Sequence, residues 1–186
     1  QDADDRLRTR LHLRRAAARS RLIDTPVLNV VILALVTLQR IGELWLARRN
    51  TRRLLAQGAQ EYSAAHYPLI VLVHALWLIS LWWFAPGRPV SGFWLALFVL
   101  IEAARIWVLV SLGPRWTTRI IVLPGAPLVK RGPYRFINHP NYAVVILEIA
   151  VLPLVFGLLF VAVIFSLLNS TVLMIRVREE ERALGR

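Results

Sequence analysis

The sequence predicts an all-α polytopic membrane protein of about five transmembrane helices, with a short cytoplasmic hairpin or loop segment between the third and fourth. Three observations predict it. The chain of 186 residues is 57% hydrophobic with mean hydropathy +0.55, more apolar than a soluble domain. Its apolar residues fall into runs close to the roughly 20 residues that cross a hydrocarbon core. Its formal charge of +12 sits in blocks between those runs, as when basic loops face an anionic membrane surface. That placement makes membrane the expected partner, and no nucleic acid is expected.

Residues 1–25 form a basic N-terminal tail with seven arginines. Within it Leu7, Leu11, Ala18 and Leu22 fall near one helical face, which suits an amphipathic interfacial or partner-binding helix as well as a solvated tail. Residues 26–186 form the membrane domain. The first three spans are expected at 26–47, 67–85 and 89–112. The run 142–177 is too long for one helix and carries Pro153 and Gly157 near its middle, so it divides into spans at about 141–156 and 158–177. Short turns at Pro86-Gly87 and Gly157 alternate with long basic loops at 48–66 and 113–141, which therefore share a face. With the C-terminal tail they bring Arg48, Arg49, Arg52, Arg53, Arg115, Arg119, Lys130, Arg131, Arg135, Arg176, Arg178, Arg182 and Arg186 to one side. An excess of basic residues marks the cytoplasmic side, in this case that of a bacterial membrane, because Lys130 is the single lysine among 23 basic residues and arginine suits a GC-rich genome. The arginines of the tail oppose this orientation if the first span crosses fully.

Ionisable groups inside spans are costly in lipid and mark functional cavities. Gln39, Arg40 and Glu43, then His74, then Glu102 and Arg105, then Glu148, then Asn169-Ser170-Thr171 all fall in the leaflet beside the long loops, so a polar cavity opening there is expected. Arg40/Glu43 and Glu102/Arg105 have the i,i+3 spacing that places them on one helical face. Mutual neutralisation or headgroup binding explains either pair equally well.

In the loop before span four, Leu123-Pro124-Gly125-Ala126 suits a type II turn, and the flanking stretches 117–122 and 127–130 suggest a small hairpin. Arg131-Gly132-Pro133-Tyr134-Arg135 and Asn138-His139-Pro140-Asn141-Tyr142 follow. Pro140 fits the first position of a helix and His139 or Asn138 its cap, so a helix N-terminus is expected beside cations, where a carboxylate can sit. Arg176-Val177-Arg178-Glu179-Glu180-Glu181 carries the last span into water. Taken alone this is a solvated charge run, although its carboxylates suit ribose hydroxyls or an ammonium group.

Gly132-Pro133-Tyr134-Arg135 running to His139-Pro140-Asn141-Tyr142, an apolar hairpin, and Glu179-Glu180-Glu181 followed by Leu184 resemble the isoprenylcysteine carboxyl methyltransferase family. The resemblance covers roughly residues 30–186 and is strongest from Thr117 onward. It is closest to the short bacterial branch associated with type III polyketide synthases, which O-methylates alkylresorcinol-type or alkylpyrone lipids. It implies an integral membrane methyltransferase with S-adenosylmethionine as cofactor. It also implies a cofactor site drawn from Lys130, Gly132, Tyr134, Arg135, His139, Pro140, Tyr142, Glu179 and Glu180. A phenolic or enolic polyketide lipid is the implied substrate, and a type III polyketide synthase docking on the basic tail the implied partner. Two departures stand out: Asn138 occupies a position commonly held by arginine, for which Arg135 is the expected substitute, and the sequence stops at Arg186, short of the aromatic-rich tail of the enzymes that methylate prenylated proteins. Hydroxyl methylation is therefore expected over carboxyl methylation of isoprenylcysteine-type substrates.

Methyl transfer needs alignment and exclusion of water. A phenol also gains from a base or cation that favours phenolate, and Glu102, Arg105, Glu148 and Arg176 are the catalytic candidates. Without cysteine a thiolate nucleophile is excluded. His12, His66, His74 and His139 lack metal-ligand spacing, so no metal is expected; His66 and His74 read as interfacial or buried and hydrogen-bonded. No G-x-G-x-x-G occurs, so a soluble Rossmann-type methyltransferase site is unsupported. Membrane sterol reductases share a similar C-terminal half and bind NADPH, which makes a reductase one rival. A non-catalytic membrane anchor for a soluble partner is the other.

Overall fold

A computed structural model describes residues 2–64 and 67–183, with side chains from residue 27 onward. His66 and Leu184 lie outside the described residues, as do the side chains on which the amphipathic reading of the tail rests. The elements are α1 (Asp2–Ala56), β1 (Gln60–Tyr62), α2 (Tyr67–Phe84), α3 (Gly92–Leu112), β2 (Ile120–Val122), α4 (Pro140–Val155) and α5 (Leu159–Ala183). Among the described residues four helices are long and apolar enough to cross a membrane: Val27–Ala56 within α1, then α2, α3 with its 3-10 extension to Arg115, and α5. The fifth, α4, has 16 residues, about 24 Å at the helical rise, and packs between α3 and α5.

Two links fix the alternation of loops. β1 pairs antiparallel with β2, Glu61 opposite Ile121, which joins the α1–α2 loop to the α3–α4 loop on one face. On the other face the Ser91 amide donates to the Val155 carbonyl at 2.9 Å, and Asn29 Nδ2 donates to the carbonyls of Ala85 (2.7 Å) and Arg88 (2.8 Å). The turn at Leu123-Pro124-Gly125-Ala126 forms, with Gly125 at φ +74 and the Ala126 amide 3.2 Å from the Leu123 carbonyl. The hairpin expected around it does not. β2 takes its partner from residues 60–62, because 127–130 carries Pro127 and leaves the turn without pairing. The break expected near Gly157 falls there: α4 continues through Pro153, and Gly157 at φ +68 lets the Leu158 amide reach back to the Pro153 carbonyl at 2.9 Å, a helix-ending geometry that suits glycine.

The buried apolar core centres on Leu33, Trp77, Leu81, Val108, Leu152 and Phe156. Large apolar side chains such as Leu35, Trp83, Val110, Phe160 and Leu167 point outward, as lipid-facing surface requires. Inside this shell a cluster of charges ties three helices, α1, α3 and α4, together. Arg105 of α3 donates from Nε and Nη2 to Glu43 of α1 at 2.5 and 2.8 Å, and from Nη1 to Glu148 of α4 at 2.5 Å. Arg40 donates to Glu43 at 3.0 Å and to Glu148 at 2.8 Å. The Arg40/Glu43 pair thus forms as its spacing suggests, whereas no ion pair joins Glu102 to Arg105. Carboxylates from α1 and α4 engage all three guanidinium nitrogens of Arg105, and Glu102 accepts instead from Gln39 at 2.5 Å.

Candidate active site

The loop before α4 is held down on α3 by an unusually close approach. Gly132 sits at φ +56, and a Cβ there would lie 2.0 Å from Ser111 Oγ and 3.1 Å from Trp107 Nε1, so no side chain fits. Beside it Arg131 Nε donates to the Ser111 carbonyl at 2.7 Å, and the 3-10 turn Gly132–Arg135 then aims Tyr134 inward. Asn50 of α1 clamps the other end of the loop through the carbonyls of Gly113 and Trp116 at 3.2 and 2.8 Å.

Pro140 opens α4 with His139 as its cap residue, whose side chain makes no capping bond. The Tyr142 and Ala143 amides both donate to the His139 carbonyl, at 3.1 and 3.3 Å. Because Pro140 has no N–H, the anion seat expected at this terminus reduces to the Asn141 amide among the described residues. The His139 imidazole is left to face α5. It stacks on Tyr142, ring centroids 5.3 Å apart, with Nδ1 3.9 Å from Glu180 and Nε2 3.6 Å from Glu181. These separations exceed hydrogen-bond distance, and Nε2 is buried without a partner. The Tyr142 hydroxyl donates to Glu180 and accepts from Arg176 Nε at 2.9 Å; the Arg176 guanidinium also lies 5.6 Å from the Tyr142 ring centre. Burial, followed by the nearby Glu180 charge, pushes the Tyr134 phenol well above its usual range. Tyr134 is therefore a neutral hydrogen-bond donor at physiological pH.

Two cavities meet at this junction. One, of about 200 Å³, lies on the loop face and is lined by Tyr134, Asn138, His139 and Glu180 together with β2 and the residues after it. The other, of about 310 Å³, lies among the spans and is lined by Arg40, Tyr67, His74, Arg105 and Asn169 with a mainly apolar remainder. Trp116, Thr117, Asn141, Tyr142 and Arg176 line both. A polar compartment reached from the loops and an apolar one reached from the lipid thus share one wall.

Of the residues singled out from sequence, Tyr134, His139, Tyr142, Glu180 and Arg176 come together here. Pro140 supports them as the helix start. Gly132 acts by close packing. Lys130 and Arg135 line an adjoining hollow that shares Tyr134 and Asn138 with the loop-face cavity. Glu179 turns away from its neighbour, accepting from Ser63 Oγ and from Arg182 at 2.7 Å. Arg105 reaches the wall of the inner cavity, whereas Glu102 and Glu148 line neither cavity. Trp116, Thr117 and Asn141 were not singled out. Asn141 belongs to the Asn138-His139-Pro140-Asn141-Tyr142 motif, but its bond from Trp116 Nε1 at 3.4 Å depends on the fold.

The site and its apolar shell define an integral membrane protein with a polar compartment set against a lipid-side one. A family model described as the isoprenylcysteine carboxyl methyltransferase (ICMT) family matches residues 94–186. The chain is 40% identical over 159 residues to an uncharacterized protein, YpbQ, of Bacillus subtilis (strain 168), covering 83% of this chain and 95% of that protein. It is 24% identical over 152 residues to an uncharacterized protein of Haemophilus influenzae, covering 78% and 88%. No solved structure matches. The chain belongs to the isoprenylcysteine carboxyl methyltransferase family and is a membrane methyltransferase. The matched relatives carry no functional name, so the polyketide-associated branch rests on sequence motifs alone.

Proposed function

We propose that this protein transfers the methyl group of S-adenosylmethionine to an oxygen of a lipid-like substrate, a phenolic or enolic hydroxyl on an alkyl chain, from a cofactor site facing the bacterial cytoplasm. The observation that carries the reading is the shared wall: Tyr142 and Arg176 border both the loop-face cavity and the cavity among the spans. Such a wall lets a charged cofactor enter from water and a lipid enter sideways from the bilayer, with their reacting atoms meeting where water is excluded.

The residues present suit the cofactor. His139 Nε2 is a buried atom without a partner, Tyr134 is a neutral donor, and Glu180 is a carboxylate on the cavity wall. Tyr134 and His139 would bind the methionyl carboxylate, while Glu180 would hold the ammonium or the ribose hydroxyls. When bound, the cofactor supplies an electrophilic methyl on a sulfonium. Arg176 makes no ion pair among the described residues and would stabilise the anionic form of the acceptor oxygen. The same open guanidinium favours the second reading, carboxyl methylation of an isoprenylcysteine-type substrate, whose acceptor is already ionised.

The test incubates purified protein and labelled S-adenosylmethionine with an alkylresorcinol and, separately, with a farnesylcysteine analogue. Label in a base-stable ether supports the hydroxyl reading. Label only in a base-labile ester replaces it with the second.

A further inference from the structure

His74 faces the cavity among the spans with one ring nitrogen committed and the other open. Its Nδ1 lies 2.8 Å from the Ile70 carbonyl one turn earlier. A carbonyl only accepts, so Nδ1 carries the proton and Nε2 presents its lone pair. Nothing bonds Nε2 among the described residues. Three more groups in the same cavity are unpaired: Asn169, 4% exposed, and Trp77, 1% exposed, leave Nδ2 and Nε1 without acceptors, as Arg40 leaves its Nε. Buried donors without partners call for an explanation, and a ligand carrying acceptor oxygens supplies one.

The charged groups that act on His74 are Arg40 from α1, Arg105 from α3 and Arg176 from α5. Among the described residues the one carboxylate on the cavity wall, Glu43, is bonded to both Arg105 and Arg40. The Tyr67 hydroxyl is engaged with Thr118 Oγ1 at 3.1 Å. Among the described residues of this wall, His74 Nε2 is therefore the open proton acceptor, and the carboxylates Glu102 and Glu148 do not reach the cavity.

We propose that His74 Nε2 accepts the proton of the substrate's hydroxyl group and that Asn169 Nδ2 binds a neighbouring oxygen of the same molecule. This assignment rests on the methyl-transfer reading above and narrows its substrate to a phenol or enol with a second oxygen close by. As the hydroxyl oxygen bonds to the methyl carbon of the sulfonium donor, the carbon–sulfur bond breaks with its electron pair kept by sulfur. The O–H proton passes to Nε2. The products are a methyl ether, a neutral thioether and an imidazolium, which returns its proton to water. A carboxylate acceptor would leave Nε2 idle.

The experiment compares wild type with His74→Gln, which keeps a hydrogen-bonding group at the end of the side chain but has no basic nitrogen. Three quantities are read in lipid nanodiscs: S-adenosylhomocysteine affinity, pentadecylresorcinol affinity without cofactor (by tryptophan quenching), and methyl transfer to pentadecylresorcinol and to a nitrophenol, an alkyldinitrophenol already ionised at neutral pH. The variant should keep both affinities within about threefold, lose about 10²-fold or more in transfer to the resorcinol, and lose less than about tenfold with the nitrophenol. Equal losses with both acceptors, or no loss, overturn the assignment and leave the methyltransferase reading standing. Transfer by wild type to a carboxylate alone also overturns it. A wild type that binds no S-adenosylhomocysteine overturns the function itself, and this assignment with it. His74→Asn, which keeps a donor toward Ile70 and places nothing at the Nε2 position, gives the same comparison should the glutamine variant fail to fold.

Discussion

Two polar clusters in this molecule each contain arginine and glutamate and behave differently. In the cluster of Arg40, Glu43, Arg105 and Glu148, each charge is bonded to an opposite charge, and the bonds cross from α1 to α3 and α4. At the junction of Arg176, Tyr142, Glu180 and His139, the arginine bonds to a phenol instead of a carboxylate and the histidine keeps an unpartnered nitrogen. The closed cluster holds helices together in a medium that penalises unpaired charge. The open junction keeps capacity for a ligand. Arg40 Nε and Glu148 Oε1 of the cluster also lack a hydrogen-bond partner, so the difference lies in charge: among the described residues every charge of the cluster is paired, whereas Arg176 has no ion-pair partner.

The comparison can be broken most forcefully at Arg105. Arg105→Ala leaves Glu43 and Glu148 buried with only Arg40 between them, and the loss should be about 3–5 kcal/mol, seen as a large fall in thermal stability and in recovery of monodisperse protein. A variant as stable as wild type would mean that the cluster does not bind the helices. Gly132→Ala comes next. Its Cβ meets Ser111 and its φ is positive, so a cost of about 1–3 kcal/mol should fall on the loop, read as faster proteolysis between residues 113 and 139 and weaker S-adenosylhomocysteine binding. Adding Ser111→Gly should restore part of the loss by removing the clash, but not the backbone strain.

Smaller effects separate the regions more finely. Tyr142→Phe removes the hydroxyl between Arg176 and Glu180 and should weaken S-adenosylhomocysteine binding roughly tenfold, about 1.4 kcal/mol, with little change in melting temperature. Glu102→Gln should have the least effect. Glu102 accepts from Gln39 and lines neither cavity, so methyl transfer should stay within about threefold of wild type; a 10²-fold loss, the usual cost of removing a general base, would return it to the catalytic candidates.

The helices and the loop-side grouping of Tyr134, His139 and Tyr142 were legible in sequence because each depends on local pattern. Hydropathy marks the runs, Pro140 marks the start of α4, Gly157 marks the turn, and the shared leaflet of Arg40, His74, Arg105 and Asn169 foreshadows the inner cavity. What was not legible depends on contacts between helices. The spacing of Glu102 and Arg105 suggested a pair, but Arg105 meets better-placed carboxylates on α1 and α4. Residues 60–62 form too short a strand to show a period of two, so β2 was matched to the nearest candidate in sequence. Glu179 and Glu180 read alike, yet adjacent positions on a helix point about 100° apart, and one turns toward Ser63 while the other meets Tyr142. His74 read as a buried, hydrogen-bonded histidine, which it is through Nδ1; that Nε2 opens into a cavity is visible only in three dimensions.

The central claim is that the open junction is a methyl-donor site, and calorimetric titration of the protein in nanodiscs tests it most directly. Wild type should bind S-adenosylhomocysteine and not NADPH, and Glu180→Ala should weaken that binding about tenfold or more while melting at the wild-type temperature. Binding of NADPH alone, or S-adenosylhomocysteine affinity unchanged by Glu180→Ala, would contradict it.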